Sequence, residues 1–325
     1  MLERTIDIAT RDGATTTFIV HPERGGPHPV IFFYMDAPAI REELRDMARR
    51  FASVGYYVVL PNLYYRSGVM ELGPLSPDPN SPGRKKMFEL MGSLTIPMIM
   101  DDTRALLAFV DEDPAARKGA MGAVGYCMSG QYAINAAAQF PERFKAAASI
   151  YGVLLITDKP DSPHLMAHKT KGAELYFACA EVDRWMPVEQ IEPLRAGLKG
   201  LNAEVEFYPK VEHGFAFPQR PAYNKASAER HWERLSPCGS AISDANVTLF
   251  WRVRRSGPHG LVFDFAIDPN LPGKSCHFFC SFRHSIRAFL TQDFALAGKM
   301  AGIAPSASTD SNRTPNRTQE IGRLK

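Results

Sequence analysis

Several segments that mark particular classes of protein are missing from this chain of 325 residues. It has no run of about 18 apolar residues, so no transmembrane helix and no membrane partner are expected. Its first residues lack the basic stretch and apolar core of a secretory signal peptide. No glycine-rich phosphate loop is found, which disfavours a nucleotide-dependent enzyme. Basic and aromatic residues do not alternate in a patch, so no nucleic-acid partner is expected.

Cysteine is scarce and scattered along the chain. The five cysteines lie at positions 127, 179, 238, 276 and 280 and form no cluster with histidines, so we predict no metal site and no cofactor. The odd number argues against a disulfide framework. A reducing compartment fits this usage, which favours the cytoplasm, where a thiol nucleophile would survive.

Charge is distributed unevenly. Residues 236–325 carry 11 Lys and Arg against 6 Asp and Glu, whereas residues 1–235 carry 27 against 29. The overall contents of 45% hydrophobic and 22% charged residues are ordinary for a globular protein. The first part therefore has the near-neutral balance of a typical enzyme domain, and the basic excess lies in the tail.

Residues 1–235 alternate between strand-like and helix-like segments. Residues 30–34 form a continuous apolar run, typical of a strand buried on both faces. Residues 40–54 have the spacing of an amphipathic helix, and Asp12 followed by Gly13 predicts a hairpin. The alternation predicts an α/β fold with a mostly parallel sheet and helices on both faces.

The most informative stretch is Gly-Tyr-Cys-Met-Ser-Gly at residues 125–130. It follows an apolar run and precedes a helix-like segment, which predicts a strand, a sharp turn and a helix with Cys127 at the apex. Small residues suit such a turn because strand and helix approach closely there. The thiol would lie at the carboxyl edge of a sheet, beside helix N–H groups that favour a thiolate. The alternative is that Cys127 is a small buried hydrophobic side chain.

An acid and a histidine follow in the order that a catalytic cysteine would need. Asp183 comes after the strand-like residues 174–180, and His213 comes after the strand-like residues 203–208. This chain order is that of the α/β-hydrolase triad. The alternatives are that Asp183 caps the next helix and that His213 is an exposed loop residue. Cys179 lies inside an apolar strand and is predicted to belong to the core.

The character of the chain changes at Ser236, where the periodicity of the helix predicted from residue 225 stops. If residues 236–243 are reverse-translated and read one nucleotide earlier, the permitted codons include Leu-Ala-Leu-Arg-Phe-Arg-Asn-Leu, an amphipathic continuation of that helix. We therefore predict an α/β domain over residues 1–235 and an irregular, poorly ordered tail over residues 236–325, hypothetically a frameshift product. The alternative is a genuine small domain or extension.

Residues 1–235 resemble the dienelactone hydrolases, a cysteine branch of the α/β-hydrolase fold. The resemblance rests on the stretch at 125–130, on Pro-Asn-Leu-Tyr at 61–64, on Asp183 within residues 181–187 and on His-Gly-Phe at 213–215. It implies hydrolysis of a small ester or enol-lactone, an anionic one, through a thiol acyl-enzyme.

Carried over by position, the resemblance implies a role for each residue that matches. Cys127 is then the nucleophile, His213 the general base and Asp183 the group that orients the imidazole. The backbone N–H groups of Met128 and Ala37 resemble the two donors that bind the oxyanion.

Four other residues are implied to have binding or auxiliary roles. Asp36 stands where the family has a glutamate near the thiol, and it is shorter by one methylene. Arg84 aligns with an arginine that pairs with a substrate carboxylate. Tyr64 and Tyr151 lie at strand ends on the expected active edge, where each could line the pocket or belong to the core.

Two other functions remain open at this point. One is a general carboxylesterase or thioesterase on the same scaffold. The other is a catalytically impaired protein that has lost its final helix. The oligomeric state is not predicted.

Overall fold

The computed structural model describes residues 1–238, 251–255 and 261–265. The strands of its large sheet are β1 (Leu2–Thr10), β2 (Gly13–His21), β3 (His28–Tyr34), β4 (Tyr57–Pro61), β5 (Ala116–Tyr126), β6 (Phe144–Ile150), β7 (Glu174–Val182) and β8 (Ala203–Glu212). The α-helices are α1 (Glu42–Ser53), α2 (Pro82–Ser93), α3 (Ile96–Glu112), α4 (Gly130–Gln139), α5 (Pro163–Met166), α6 (Ile191–Gly197) and α7 (Lys225–Cys238).

The sheet has the strand order β1-β2-β4-β3-β5-β6-β7-β8. β1 and β2 form the predicted antiparallel hairpin, and β2 runs antiparallel to β4. All the other neighbouring strands, from β4 to β8, are parallel. The predicted mostly parallel sheet is therefore confirmed.

Helices cover both faces of this sheet. The crossover through α1 leads from β3 to β4, whereas the crossovers through α4 and α6 lead toward β8, in the opposite direction. Right-handed crossovers in opposite directions place their helices on opposite faces. In agreement, α3 packs on α4, and Phe51 of α1 contacts Trp232 of α7 at a ring distance of 4.8 Å. The predicted two-sided arrangement is confirmed.

The chain order also defines where a ligand should bind. The direction of the crossovers reverses between β3 and β5, which are neighbours in the sheet. In open α/β sheets, ligands bind at such a switch point, beyond the carboxyl ends of the strands. The segments that follow β3 and β5 contain Asp36, Ala37 and Cys127.

The carboxyl ends of β5, β6, β7 and β8 lie side by side. Tyr126 is in register with Ile150, and Val182 is in register with Glu212. Between β7 and β8 the register shifts after Ala180, so β8 accommodates two extra residues before its end. Because of this bulge, both strands finish at the same edge.

The chain divides into two units, Met1–Thr248 and Leu249–Lys325. In the second unit, β9 (Trp251–Arg255) and β10 (Leu261–Phe265) pair antiparallel in a two-stranded sheet of their own. α7 continues three residues beyond Leu235, where its periodicity was expected to end. Apart from α7, β9 and β10, the predicted tail of residues 236–325 lies outside the described residues, and the prediction about its order stays a prediction.

Candidate active site

Cys127 occupies a sharp turn between β5 and α4. Its backbone has a φ of 54°, a left-handed conformation that residues other than glycine adopt only under constraint. A side chain at Gly125 would overlap the Ser129 carbonyl, and one at Gly130 would approach the Gly152 Cα to 2.7 Å. The turn therefore requires glycine on both sides, and it leaves the Cys127 side chain partly exposed.

Cys179 differs sharply from Cys127. It is buried within β7, and this burial raises the pKa of its thiol to about 12. Such a thiol stays protonated and inert at neutral pH. Cys179 is thus a core residue, as predicted.

Asp183 and His213 form a directed pair. The Nδ1 atom of His213 donates to Oδ2 of Asp183 over 2.7 Å. The other oxygen of Asp183 accepts from the backbone N–H groups of Trp185, at 2.9 Å, and Met186, at 3.4 Å. Because both oxygens are engaged, the buried carboxylate holds the imidazole in one orientation. Nε2 then faces away from Asp183 and has no hydrogen-bond partner among the described residues.

The protonation of His213 depends on Cys127. Burial alone would lower the pKa of the imidazole, but the charge of Cys127 and the hydrogen bond to Asp183 outweigh it and raise that pKa to about 10. The structure therefore brings together Cys127, His213 and Asp183, and it favours the protonated imidazole of His213 at neutral pH.

Tyr64 joins the two residues predicted to supply the oxyanion donors. Its hydroxyl donates to the Ala37 carbonyl over 2.9 Å and lies 3.3 Å from Sδ of Met128. The hydroxyl of Ser129 donates to the Met35 carbonyl, which ties the turn to the same segment. All of these side chains are buried. Tyr64 is thus a buried residue that contacts both segments.

Asp36 is fully buried and is bound by two arginines. Its Oδ1 accepts from Arg41 at 2.6 Å, and its Oδ2 accepts from Arg41 at 3.1 Å and from Arg220 at 2.5 Å. Both carboxylate oxygens are therefore occupied by guanidinium groups. This carboxylate is held as part of an ion network, and no described hydrogen bond joins it to Cys127.

The network extends into an ion clamp, which we define as Asp36, Arg41, Glu43, Phe217 and Arg220. Arg41 also donates to Oε2 of Glu43 over 2.8 Å. Both guanidinium groups also contact the phenyl ring of Phe217, each at 4.9 Å from its centre. The clamp connects the segment that contains Ala37 to the segment that contains His213.

Arg84 lies in the first turn of α2. Its Nε donates to the Ser76 carbonyl over 2.7 Å. Phe88, one turn later on the same helix, contacts Trp185 at a ring distance of 5.8 Å. Trp185 follows Asp183 by two residues, so α2 lies beside the segment that contains Asp183. No described interaction joins Arg84 directly to Cys127 or His213.

Tyr151 is the first residue after β6 and lies against the imidazole. Its ring centre is 5.0 Å from that of His213. Its backbone φ is 37°, a constrained value like that of Cys127. Its hydroxyl is buried and has no hydrogen-bond partner among the described residues.

Two further features concern binding. None of the helices in the described ranges is long and apolar enough to cross a membrane. Within the same ranges, no group of three or more His, Cys, Asp or Glu side chains is arranged to hold a metal ion.

The sheet topology and the sharp turn at Cys127 are those of an α/β-hydrolase. The model of the dienelactone hydrolase family matches residues 15–237, which is most of the chain. The chain therefore belongs to the dienelactone hydrolase family, and it is a carboxylic ester hydrolase of that type.

Relatives and solved structures agree with this assignment. A protein of Methylorubrum extorquens named “Putative carboxymethylenebutenolidase” is 27% identical over 236 residues, which are 71% of this chain and 78% of that protein. Carboxymethylenebutenolidase of Pseudomonas putida is 25% identical over 247 residues, 74% of this chain and 99% of that protein. The structure of a “Putative Dienelactone Hydrolase” from Klebsiella pneumoniae has a TM-score of 0.66 at 22% identity, covering 74% of this chain and 98% of that chain, and shows the same fold.

Proposed function

We propose that this hydrolase cleaves a small ester or enol-lactone through a triad of Cys127, His213 and Asp183 and a thiol acyl-enzyme. One observation carries the proposal. Cys127, Asp183 and His213 each directly follow a strand, at the ends of β5, β7 and β8. The sheet thus brings residues far apart in sequence to one edge, in the order of an α/β-hydrolase triad.

The first half-reaction acylates the cysteine. The Cys127 thiolate attacks the carbonyl carbon, and the carbonyl oxygen takes the negative charge. The backbone N–H groups of Met128 and Ala37 bind this oxyanion, each worth about 3 kcal/mol by analogy with other hydrolases. When the C–O bond breaks, the imidazolium of His213 gives its proton to the leaving oxygen. The raised pKa of His213 supports this step, because the imidazole is already protonated.

The second half-reaction releases the acid. His213, now neutral, accepts a proton from a water molecule that attacks the thioester carbon. Collapse of the tetrahedral intermediate expels the sulfur as a thiolate and leaves the carboxylic acid product. Asp183 holds the imidazole in place throughout. The thiolate–imidazolium pair is then restored.

An anionic substrate is the preferred class within this proposal. Arg84 supports it, because Arg84 lies one turn before Phe88 on α2, and Phe88 contacts Trp185, two residues after Asp183. A small carboxylated lactone would present its carboxylate to this cation and its ester carbonyl to Cys127. A general carboxylesterase or thioesterase would not depend on the charge of Arg84. A cytoplasmic location fits as well, because a reducing environment would keep Cys127 a free thiol.

The decisive experiment is mass spectrometry of the intact protein after addition of a carboxylated enol-lactone. We expect a transient acyl group on Cys127 and none on Cys179, which serves as the matched internal control. Cys127→Ala should lose hydrolysis while staying folded, and Cys127→Ser should also be poor because a hydroxyl is harder to ionise than a thiol. Hydrolysis by Cys127→Ala within tenfold of the wild type would refute the nucleophile.

A further inference from the structure

The hydroxyl of Tyr151 is buried and lacks a hydrogen bond to any described residue, unlike the hydroxyl of Tyr64 in the same site. A buried hydroxyl without a hydrogen bond is costly, and in native proteins such a group calls for an explanation. Tyr151 is only 1% exposed, and its oxygen has no partner among the described residues. Among the described residues, two other buried polar side-chain atoms near the turn lack such a partner: Nε2 of His213, and Oγ of Ser149, which lies against Gly130.

Backbone hydrogen bonds connect the segment that contains Tyr151 to β7 and to Cys127. The N–H of Tyr151 donates to the Ala178 carbonyl of β7 over 2.8 Å. Two residues later, the N–H of Val153 donates to the carbonyl of Cys127 itself over 3.1 Å. The constrained φ of 37° therefore belongs to a segment that is bonded to the nucleophile.

Charges of the reaction centre act on this hydroxyl. Burial is the largest influence and raises its pKa well above the ordinary value. Arg220 opposes that shift, whereas Asp36 and Cys127 add to it. The hydroxyl therefore keeps its proton at any pH at which the enzyme works, and it can only act as a donor toward an anion.

Tyr64 provides the comparison. The charge of Cys127 acts on Tyr64 as well, but its hydroxyl already donates to the Ala37 carbonyl. The hydroxyl of Tyr151 has no hydrogen bond to a described residue, and the centre of its ring lies 5.0 Å from that of His213. Of these two tyrosines, only Tyr151 has a proton left to donate to a charge that develops at Cys127.

We propose that the Tyr151 hydroxyl is a catalytic hydrogen-bond donor that binds the sulfur of Cys127 while the sulfur is anionic. The bond would form before attack and again when the thioester collapses, and it would raise the fraction of thiolate. The inference rests on the proposed function, because it needs Cys127 to be the nucleophile. The competing account is a core tyrosine whose hydroxyl has no role.

The test is the pH dependence of Cys127 alkylation by iodoacetamide, measured by mass spectrometry without any substrate. Tyr151→Phe removes only the hydroxyl. We expect the midpoint of alkylation to rise by about one to two pH units, as for loss of one hydrogen bond to a charged group. The melting temperature should stay the same or rise, because the removed hydroxyl had no partner. His213, Tyr64, Asp36 and Arg220, the other titratable groups around this sulfur, remain unchanged.

Tyr57→Phe is the matched control. Its hydroxyl donates to Asp113 over 2.5 Å at the opposite end of the sheet. We expect this variant to lose melting temperature and to keep the wild-type alkylation profile.

The outcomes separate the two proposals. An unchanged midpoint in folded Tyr151→Phe would overturn the role of the hydroxyl and leave the triad standing. If Cys127 of the wild type titrates like an ordinary thiol, and Cys127→Ala still hydrolyses esters, both proposals fail together.

Discussion

The protonation of His213 is set by its neighbours in the candidate site. Its burial disfavours the imidazolium, while Cys127 and Asp183 favour it, and the two neighbours prevail. The direction of this balance matters for the chemistry. A histidine that is already protonated can donate at once to the leaving oxygen of the proposed reaction.

The first prediction concerns this balance. The charge of Cys127 is the largest influence that raises the pKa of His213. Cys127→Ala removes it, so the pKa of His213 should fall well below its wild-type value of about 10. Nuclear magnetic resonance titration of the imidazole measures both values. Because the folded pKa is raised, the stabilisation from His213 is present in full below about pH 6.5 and is lost as the pH rises toward 10. Equal values in both proteins would disprove the pairing.

The second prediction concerns substrate charge. Arg84→Ala should lower kcat/KM for a carboxylated lactone by roughly ten- to a hundredfold, as expected for a charge-assisted contact of about 1.5–3 kcal/mol. Hydrolysis of a neutral ester should hardly change. Lys85→Ala, the neighbouring cation, is the control and should affect neither substrate. An equal loss for both substrates in Arg84→Ala would mean that Arg84 only supports the fold.

The sequence indicates some residues of this site well and others poorly. Cys127, Asp183 and His213 could be predicted because each follows an apolar run that ends in a turn. The roles of Arg41 and Arg220 could not be predicted, because an arginine in a loop belongs to no periodic pattern. Their shared partner, Asp36, is buried by tertiary packing, which the sequence does not show. The missing hydrogen bond of Tyr151 likewise depends on neighbours that no local pattern identifies.

At the scale of elements, the ion clamp joins two segments that the reaction needs in a fixed relation. One contains Ala37 and the other contains His213, and they are linked through Asp36. The backbone N–H of Gln219 also donates to Oε1 of Glu43 over 2.8 Å. Breaking the clamp should therefore disturb the distance between oxyanion donor and base.

The third prediction tests this link. Arg41→Met should lower stability by about 2–3 kcal/mol, because Asp36 stays buried with Arg220 as its remaining partner. It should also lower kcat at temperatures where the protein is folded. Arg49→Met, which removes exposed ion pairs from the same helix, should cost about 0–1 kcal/mol and leave kcat unchanged. Thermal melting and steady-state kinetics would measure both, and equal effects would argue against the clamp.

Element boundaries were harder to predict than element types. β5 begins at Ala116, four residues before the apolar run, because the charged residues Arg117 and Lys118 hide its start. β8 extends to Glu212 through its bulge, where Lys210 adopts a φ of 58°. The sequence shows only the apolar part of each strand, whereas hydrogen bonding to neighbours determines its full length.

At the scale of the whole molecule, the match to the family ends at residue 237, close to the predicted boundary after Leu235. All the residues assigned to the reaction lie before that boundary. The basic excess of the chain lies after it. These three facts support the hypothesis that the tail contributes little to catalysis. Sequencing the coding DNA across the boundary would decide whether a frameshift produced the tail.

The last prediction follows from this division. Deleting all residues after Leu235 should change kcat/KM little, because the triad, the oxyanion donors and Arg84 are retained. Replacing them by Leu-Ala-Leu-Arg-Phe-Arg-Asn-Leu should raise the melting temperature, by about 2–4 °C for each kcal/mol gained, because an amphipathic extension of α7 would bury more apolar surface. A tail that resists proteases, and whose removal unfolds residues 1–235, would show instead that the tail is an integral part of the protein.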